Sequence, residues 1–444
     1  MNSLKYIISS VVLMALCSFA YGQTATTWTL EQCLNHALQN NISIKQQELN
    51  AEYMQNQYVQ KNRFGRLPSV NASASYTIGF GRTQIESEYK YIDQTTHNGD
   101  ARVSADMPLF QGLTLNNTIR KRETECKAAM EQVAITQNDI ALAITTNFLQ
   151  ILFDKELLEI ARQQYELTNQ QVERARILVD KGSAAASVFY EIKAQGAKEA
   201  LNVTVQENNL MMSKLNLAQL LDLEEVEGFD IVIPALPESQ PLQTEPAANI
   251  YGVAVDIMPE IKQASLKVES SRYDVDIAKG SLYPTLSLNG GWRSGVYYTK
   301  GMEFDFNSQF RNNSNSYIGL SLQIPIFNGL SARYNVKNAN IAFLNSNYEL
   351  DAQKLALRKK IQQAWADANA AWKKYNSGIE ASQSYEESFR QTETRFNVGI
   401  ANTIEYNTAK NEFMRAQSEL LQAKYECILR DKVLDFYKGE KIGF

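Results

Sequence analysis

"ADMPLFQGLTLNN", Ala105 to Asn117, opens as a strand and closes as a helix with almost no loop between. Proline withdraws a ladder donor and glycine lets the backbone turn, so Pro108 and Gly112 mark the change of structure. "LQIPIFNGLSARY", Leu322 to Tyr334, repeats the order Pro-aliphatic-Phe-polar-Gly-Leu, with Pro325, Phe327 and Gly329 in the places of Pro108, Phe110 and Gly112. The two prolines are 325 − 108 = 217 positions apart.

Working outward, Ile44 pairs with Ile261, Pro68 with Pro284 and Gly182 with Gly399 at the same offset within one residue. Landmarks that hold one register over so long a span indicate internal duplication. The reading is a first repeat over 23–226, a proline-rich linker over 227–249, and a second repeat over 250–444. Each repeat runs helix, β-hairpin (about 69–110 and 284–327), very long helix, tight turn, helix.

From Val70 the apolar positions Ala72, Ala74, Tyr76, Ile78 and Phe80 alternate with Asn71, Ser73, Ser75 and Thr77. Ala101, Val103, Ala105 and Met107 alternate with Arg102, Ser104 and Asp106. Leu286, Leu288 and Trp292, then Ile318, Leu320, Leu322 and Ile324, repeat the pattern in the second half. Period two with one apolar and one small polar face separates two environments, and roughly ten residues per strand suits a tilted crossing of an outer membrane. Gly81–Asp100 and Thr299–Asn315 read as long polar loops. Tyr76, Phe80, Trp292, Tyr297 and Tyr298 gather beside them as an interfacial girdle.

Leu113 to about Val179 and Leu330 to about Asn397 contain no proline, so each predicts a helix of about 100 Å at 1.5 Å per residue. Tyr406, Phe413, Leu420, Cys427 and Leu434 recur every seven residues, with Ala409, Ala416 and Ala423 behind the first three. Large facing small on a heptad seam predicts close antiparallel coiled-coil packing. Four strands close no barrel, and open edges do not survive in lipid, so copies must combine. Two copies make a narrow eight-stranded barrel, and three make twelve strands with a usable lumen.

The N-terminus fits this setting. Lys5, the run "YIISSVVLMALCSFA" and small residues Ala20 and Gly22 before Gln23 read as a signal peptide over 1–22, with lipidation at Cys17 disfavoured by Leu16. Past it, no apolar run approaches the ~18 residues of a membrane helix. Cys33, Cys126 and Cys427 are scattered and read as buried small hydrophobes. His36 and His97 are isolated, which removes most zinc and triad arrangements. A formal charge of −5 without basic blocks gives no support for nucleic-acid binding. No phosphate loop, metal cluster or nucleophile with a histidine base appears, so neither an enzyme nor a cofactor is expected. A non-conducting coiled-coil envelope scaffold or adhesin would share the helices but has no use for a polar strand face.

With "TLEQCLNHALQNN" from Thr29, Pro68 and Pro284 before the hairpins, "PLFQG" and "PIFNG", and "RFNVGIANTIEYNTAKNEF" from Arg395, the sequence resembles the TolC-type outer-membrane efflux and secretion channels over essentially the whole mature chain. The resemblance implies a mixed α/β membrane protein: a homotrimer whose protomers give four transmembrane strands each to a 12-stranded β-barrel in outer-membrane lipid, and long antiparallel coiled-coil helices to a periplasmic α-barrel. It implies a passive exit duct engaged by a periplasmic adaptor (membrane fusion) protein and an inner-membrane pump of RND or ABC type.

The resemblance also assigns the tips Val179–Glu191 and Phe396–Thr408 to adaptor docking, through Gly182, Ser183, Gly399, Ile400 and Ala401, and to a constriction. The family's frequent aspartate six residues after the glycine is Val188 in one repeat and Glu405 in the other; nine residues after it stand Glu191 and Thr408. Its gating arginine is replaced by Ala401 and its tyrosine by Phe396, so the hydrogen-bonded lock is expected to be either weaker or built otherwise. Two readings of Glu191 and Glu405 stay open: carboxylate rings favouring cations, or solvated helix-start acids stabilised by the helix dipole.

Overall fold

The structure is a computed structural model that describes residues 27–85, 90–223, 228–234, 245–301 and 303–441. The expected signal peptide, part of the 227–249 linker and the C-terminal Phe444 lie outside the described residues. Two compact units are present, one of Met1–Gln47, Val133–Pro259 and Lys354–Phe444, the other of Glu48–Gln132 and Glu260–Gln353.

The first unit opens with the short strand β1 (Thr27–Trp28) and helix α1 (Leu30–Asn40). Thr29 starts α1 with a capping box: its Oγ1 accepts from Gln32 N at 3.2 Å, and Gln32 Oε1 accepts from Thr29 N at 2.9 Å. Leu30, Cys33 and Ala37 face inward, three and four residues apart. They meet Ile144, Phe148 and Ile151 of α3 (Thr114–Asp180), Leu217 and Leu221 of α4 (Ala186–Leu220), and Leu421, Tyr425 and Ile428 of α9 (Thr403–Lys438). Burial pushes the Cys33 thiol up to about 12, so it behaves as a small hydrophobe.

The linker contributes to this core as well. Its strand β4 (Asp230–Ile231) pairs in parallel with β1, and Phe229 and Ile231 are buried. Lys155 and Lys214 hold Asp230 at 2.6 and 3.2 Å. The linker's opening segment is therefore a packed element of this unit. α5 (Ala247–Ile257) follows, and Trp365 of α8 (Ser331–Asn397) donates to the Glu245 carbonyl at 3.1 Å.

In the second unit, α2 (Ile42–Val59) ends in a π-helical turn, Gln60–Phe64, and α6 (Pro259–Gly280) occupies the matching place before the second hairpin. Pro68 and Pro284 stand immediately before β2 (Ser69–Ile85) and β5 (Thr285–Thr299), where a missing donor costs no ladder bond. With β3 (Lys90–Gln111) and β6 (Asn315–Gln323) they form one antiparallel sheet in the order β2-β3-β5-β6. Register carries each face across all four strands. Val70, Ala105, Gly290 and Ile318 form one row of the apolar face; Asn71, Ser104, Gly291 and Tyr317 form one row of the polar face.

Three expectations change. Gly81–Asp100 is not a long loop, because β2 and β3 stay paired from Ser69↔Asp106 out to Ile85↔Lys90. Continued pairing satisfies the backbone donors and acceptors that a free polar loop leaves to water. Thr299–Asn315 contains a short helix, α7 (Phe306–Asn312), whose Asp305 cap accepts from Asn307 N and Ser308 N. Phe310 of α7 meets Trp292 edge-on at 5.7 Å. Tyr297 leaves the proposed girdle, since it stands opposite Asn98 on the polar face, whereas Trp292 and Tyr298 share the apolar one.

Candidate functional site

Two features recur in both halves of the chain: the helix-turn-helix tips and the strand-to-helix junctions. At the tips, α3 and α8 end identically. Gly182 (φ 70°) and Gly399 (φ 78°) take the left-handed conformation that side chains disfavour. Ser183 N donates to Leu178 O at 2.8 Å and Gly182 N to Val179 O at 2.9 Å; Ile400 N donates to Arg395 O at 2.8 Å and Gly399 N to Phe396 O at 3.0 Å. This paired six-to-one and five-to-two bonding satisfies carbonyls that a helix end leaves bare.

Of the residues expected to dock, Ser183 and Ile400 are exposed, and Val398 and Ile404 add apolar surface beside Ile400. Ala401 differs from them: it is 7% exposed and sits in the turn, with its amide donating to Arg395 O at 3.2 Å. Glu191 is exposed on α4. Glu405 belongs to the cap of α9: its amide donates to Asn402 Oδ1 at 2.9 Å, Asn402 Nδ2 returns a bond to Glu405 Oε1 at 3.4 Å, and Arg395 lies at 4.0 Å. One carboxylate thus has a local structural role and a nearby countercharge.

Where the resemblance implies a tyrosine-arginine lock, aromatic packing and one cross-helix bond stand here. Phe396 stacks on Tyr406 at 4.7 Å, and Phe389 stacks on Phe413 at 5.9 Å. Burial, with Glu393 nearby, raises the Tyr406 phenol to about 12. Arg174 of α3 donates to Asn397 Oδ1 at 2.9 Å, joining the ends of the two long helices.

A buried polar cluster lies behind these contacts. Lys410 of α9 is 2% exposed and donates to Thr168 Oγ1 at 2.6 Å; that hydroxyl in turn donates to Gln164 O at 2.9 Å. Glu199 accepts from Gln195 at 2.6 Å and from Gln164 at 3.4 Å. Desolvation lowers the Lys410 ammonium below its ordinary value against the opposing pull of Glu199 and Glu393. In the sequence Lys410 looks like any solvated helix lysine, and only the helix covering it reveals otherwise.

At the junctions, Gly112 and Leu113 (φ 58° and 64°) and Gly329 and Leu330 (φ 62° and 64°) form matching consecutive left-handed pairs. Each leucine carries about 1–2 kcal/mol of local strain there. A Cβ on Gly112 would sit 2.4 Å from the Gly280 carbonyl oxygen, so close backbone approach requires glycine. The prolines, however, act differently. β6 stops at Gln323, two residues before Pro325, whereas β3 continues through Pro108 to Gln111 by skipping Leu109 in a bulge. Pro108 therefore displaces pairing rather than ending it. Phe110 is 43% exposed and Phe327 81%.

Residues 33–222 and 252–435 match the family described as outer membrane efflux protein. The chain belongs to that family. It is accordingly an outer-membrane protein of a channel family, acting as an exit duct for efflux or secretion. Outer membrane protein TolC of Vibrio cholerae is 21% identical over 374 residues, covering 84% of this chain and 82% of the relative. Outer membrane efflux protein BepC of Brucella suis is 20% identical and covers 97% and 89%. The crystal structure of the outer membrane protein VceC from Vibrio cholerae shares the fold, with a TM-score of 0.74 at 16% identity over 93% of this chain and 96% of that one.

Proposed function

We propose that three copies of this chain assemble into the duct, each giving its four strands to one twelve-stranded barrel and its long helices to a periplasmic tunnel. In this reading the two repeats, 23–226 and 250–444, arose by duplication and divide the work equally, with Phe110 and Phe327 at the membrane boundary. The tips at Gly182, Ser183, Gly399 and Ile400 receive a periplasmic adaptor, which couples the duct to an inner-membrane pump of RND or ABC type. Glu191 and Glu405 line the constriction, and the duct itself performs no chemistry.

One observation carries this reading. The sheet has one apolar and one polar face, yet both of its edges, β2 and β6, lack a partner among the described residues of a single chain. Phe80 and Ile318 on those edges are 80% and 79% exposed. An unpaired, apolar edge is not tolerated in lipid, whereas joining β6 of one copy to β2 of the next removes every edge. Purified protein in detergent should have the mass of three chains and conduct ions in planar bilayers. A monodisperse single chain, or silent bilayers, refutes the assembly. Photo-crosslinkers at Ser183 and Ile400 should capture an adaptor in cells, whereas crosslinkers on the exposed face of α2 should not.

A further inference from the structure

The polar face of the sheet holds an arrangement that strand pairing alone opposes. Arg102 of β3 and Arg293 of β5 stand directly opposite each other in register. Like charges in that position destabilise a sheet. Arg102 is steadied by a bond from its Nε to Ser73 Oγ at 2.8 Å, which neutralises nothing. Among the described residues no carboxylate lies within ion-pair distance of either guanidinium. Asp100 shares the face, but its Oδ1 reaches over Gly295, 3.1 Å from where a Cβ would stand, rather than to an arginine. Gly291 and Gly295 flank Arg293 two residues away on the same face, so β5 offers no side chain there to cover it. The result is a concavity lined by Ser73, Ser75, Arg102, Arg293 and Asn313, with the Asp100 carboxylate on its wall making no ion pair to either arginine.

We propose that Arg102 and Arg293 form a binding step for oxyanions in the lumen of the duct, an assignment that rests on the channel reading above. Two adjacent guanidinium forks present parallel N–H donors matched to phosphate, sulfate or carboxylate, and the serine hydroxyls add neutral donors. A bound oxyanion supplies the charge that the paired arginines lack, which explains why a repulsive cross-strand pair is tolerated. In a closed barrel the pair repeats around the lumen as a belt of positive charge. The belt favours exit of solutes carrying anionic groups.

Inorganic pyrophosphate, added to either side of a planar bilayer holding the wild-type protein, tests this. It should block current in a concentration-dependent way. The double variant Arg102→Gln/Arg293→Gln, checked for unchanged oligomer mass, should need at least about tenfold more pyrophosphate for half block. Conductance without block in the wild type overturns the inference while leaving the channel standing, as does equal block in the double variant. Absence of all conductance overturns the channel reading, and this one with it.

Discussion

Lys410 is the place where the energetics of the helical unit are most exposed to test. The residue is 2% exposed, and its ammonium group has one described acceptor, Thr168 Oγ1 at 2.6 Å. A hydrogen bond to a charged group returns roughly 1.5–3 kcal/mol, while removing an ammonium from water costs several kcal/mol even after relaxation. Lys410→Met keeps the length of the side chain and deletes both contributions, and Thr168 still donates to Gln164 O. The variant should therefore be more stable at neutral pH by about 1–2 kcal/mol. The sign of the pH dependence follows from the lowered lysine. Between its folded value and the ordinary 10.5, the unfolded chain binds more protons than the folded one, so wild-type stability rises with pH across that window. The advantage of the methionine should shrink as pH is raised toward 10.5. Thermal unfolding of the detergent-solubilised oligomer, followed by circular dichroism from pH 7 to 10.5, reads both effects. A methionine variant that melts lower at pH 7, with a gap that does not close on raising pH, would show that Glu199 and Glu393 outweigh desolvation and would refute the reasoning.

Further outcomes follow from the tips and the linker. Gly399→Ala meets no atom within 4 Å, so its cost is the left-handed backbone alone, about 1 kcal/mol; amide exchange across Arg395–Glu405 should speed up roughly fivefold, with Gly399→Asn closer to wild type. Glu405→Gln should move the reversal potential in a salt gradient away from cation preference; an unchanged potential would leave Glu405 with only its capping role beside Asn402. Burial pushes Asp230 upward, yet it is held below the usual carboxylate range because bonds from Lys155, the Ile231 amide and Lys214 outweigh that desolvation. Its contribution is present above the ordinary 3.8 and is lost as pH falls through the lower folded value, so Asp230→Asn should be less stable at pH 7 and lose its deficit under acid.

Much of the architecture was legible before any coordinates. The alternation from Val70 and from Leu286 marks strands because a pleated backbone sends successive side chains to opposite faces, whatever lies beyond them. The stretches after Gly112 and Gly329 lack proline and carry helical spacing, and local propensity suffices to read them. The recurrence of Gly182 and Gly399 announces turns because only glycine adopts a positive φ cheaply. Other features were hidden for equally physical reasons. Pro108 and Pro325 look equivalent in the sequence, yet one is carried through a bulge by a neighbouring strand and the other lies beyond the last pair. Gly81–Asp100 has loop-like composition, but its partner strand keeps it extended.

The sequence by itself therefore determined the long helices, most of the strands and the two faces those strands present, all of which depend on residues close along the chain. Tertiary structure alone decided that Lys410 is buried, that the linker supplies a strand beside Thr27, that Ala401 turns inward, and that Arg102 meets Arg293. Each of these depends on which distant segment comes to lie alongside. That partner is chosen by the packing of the whole unit, so no local pattern can declare it.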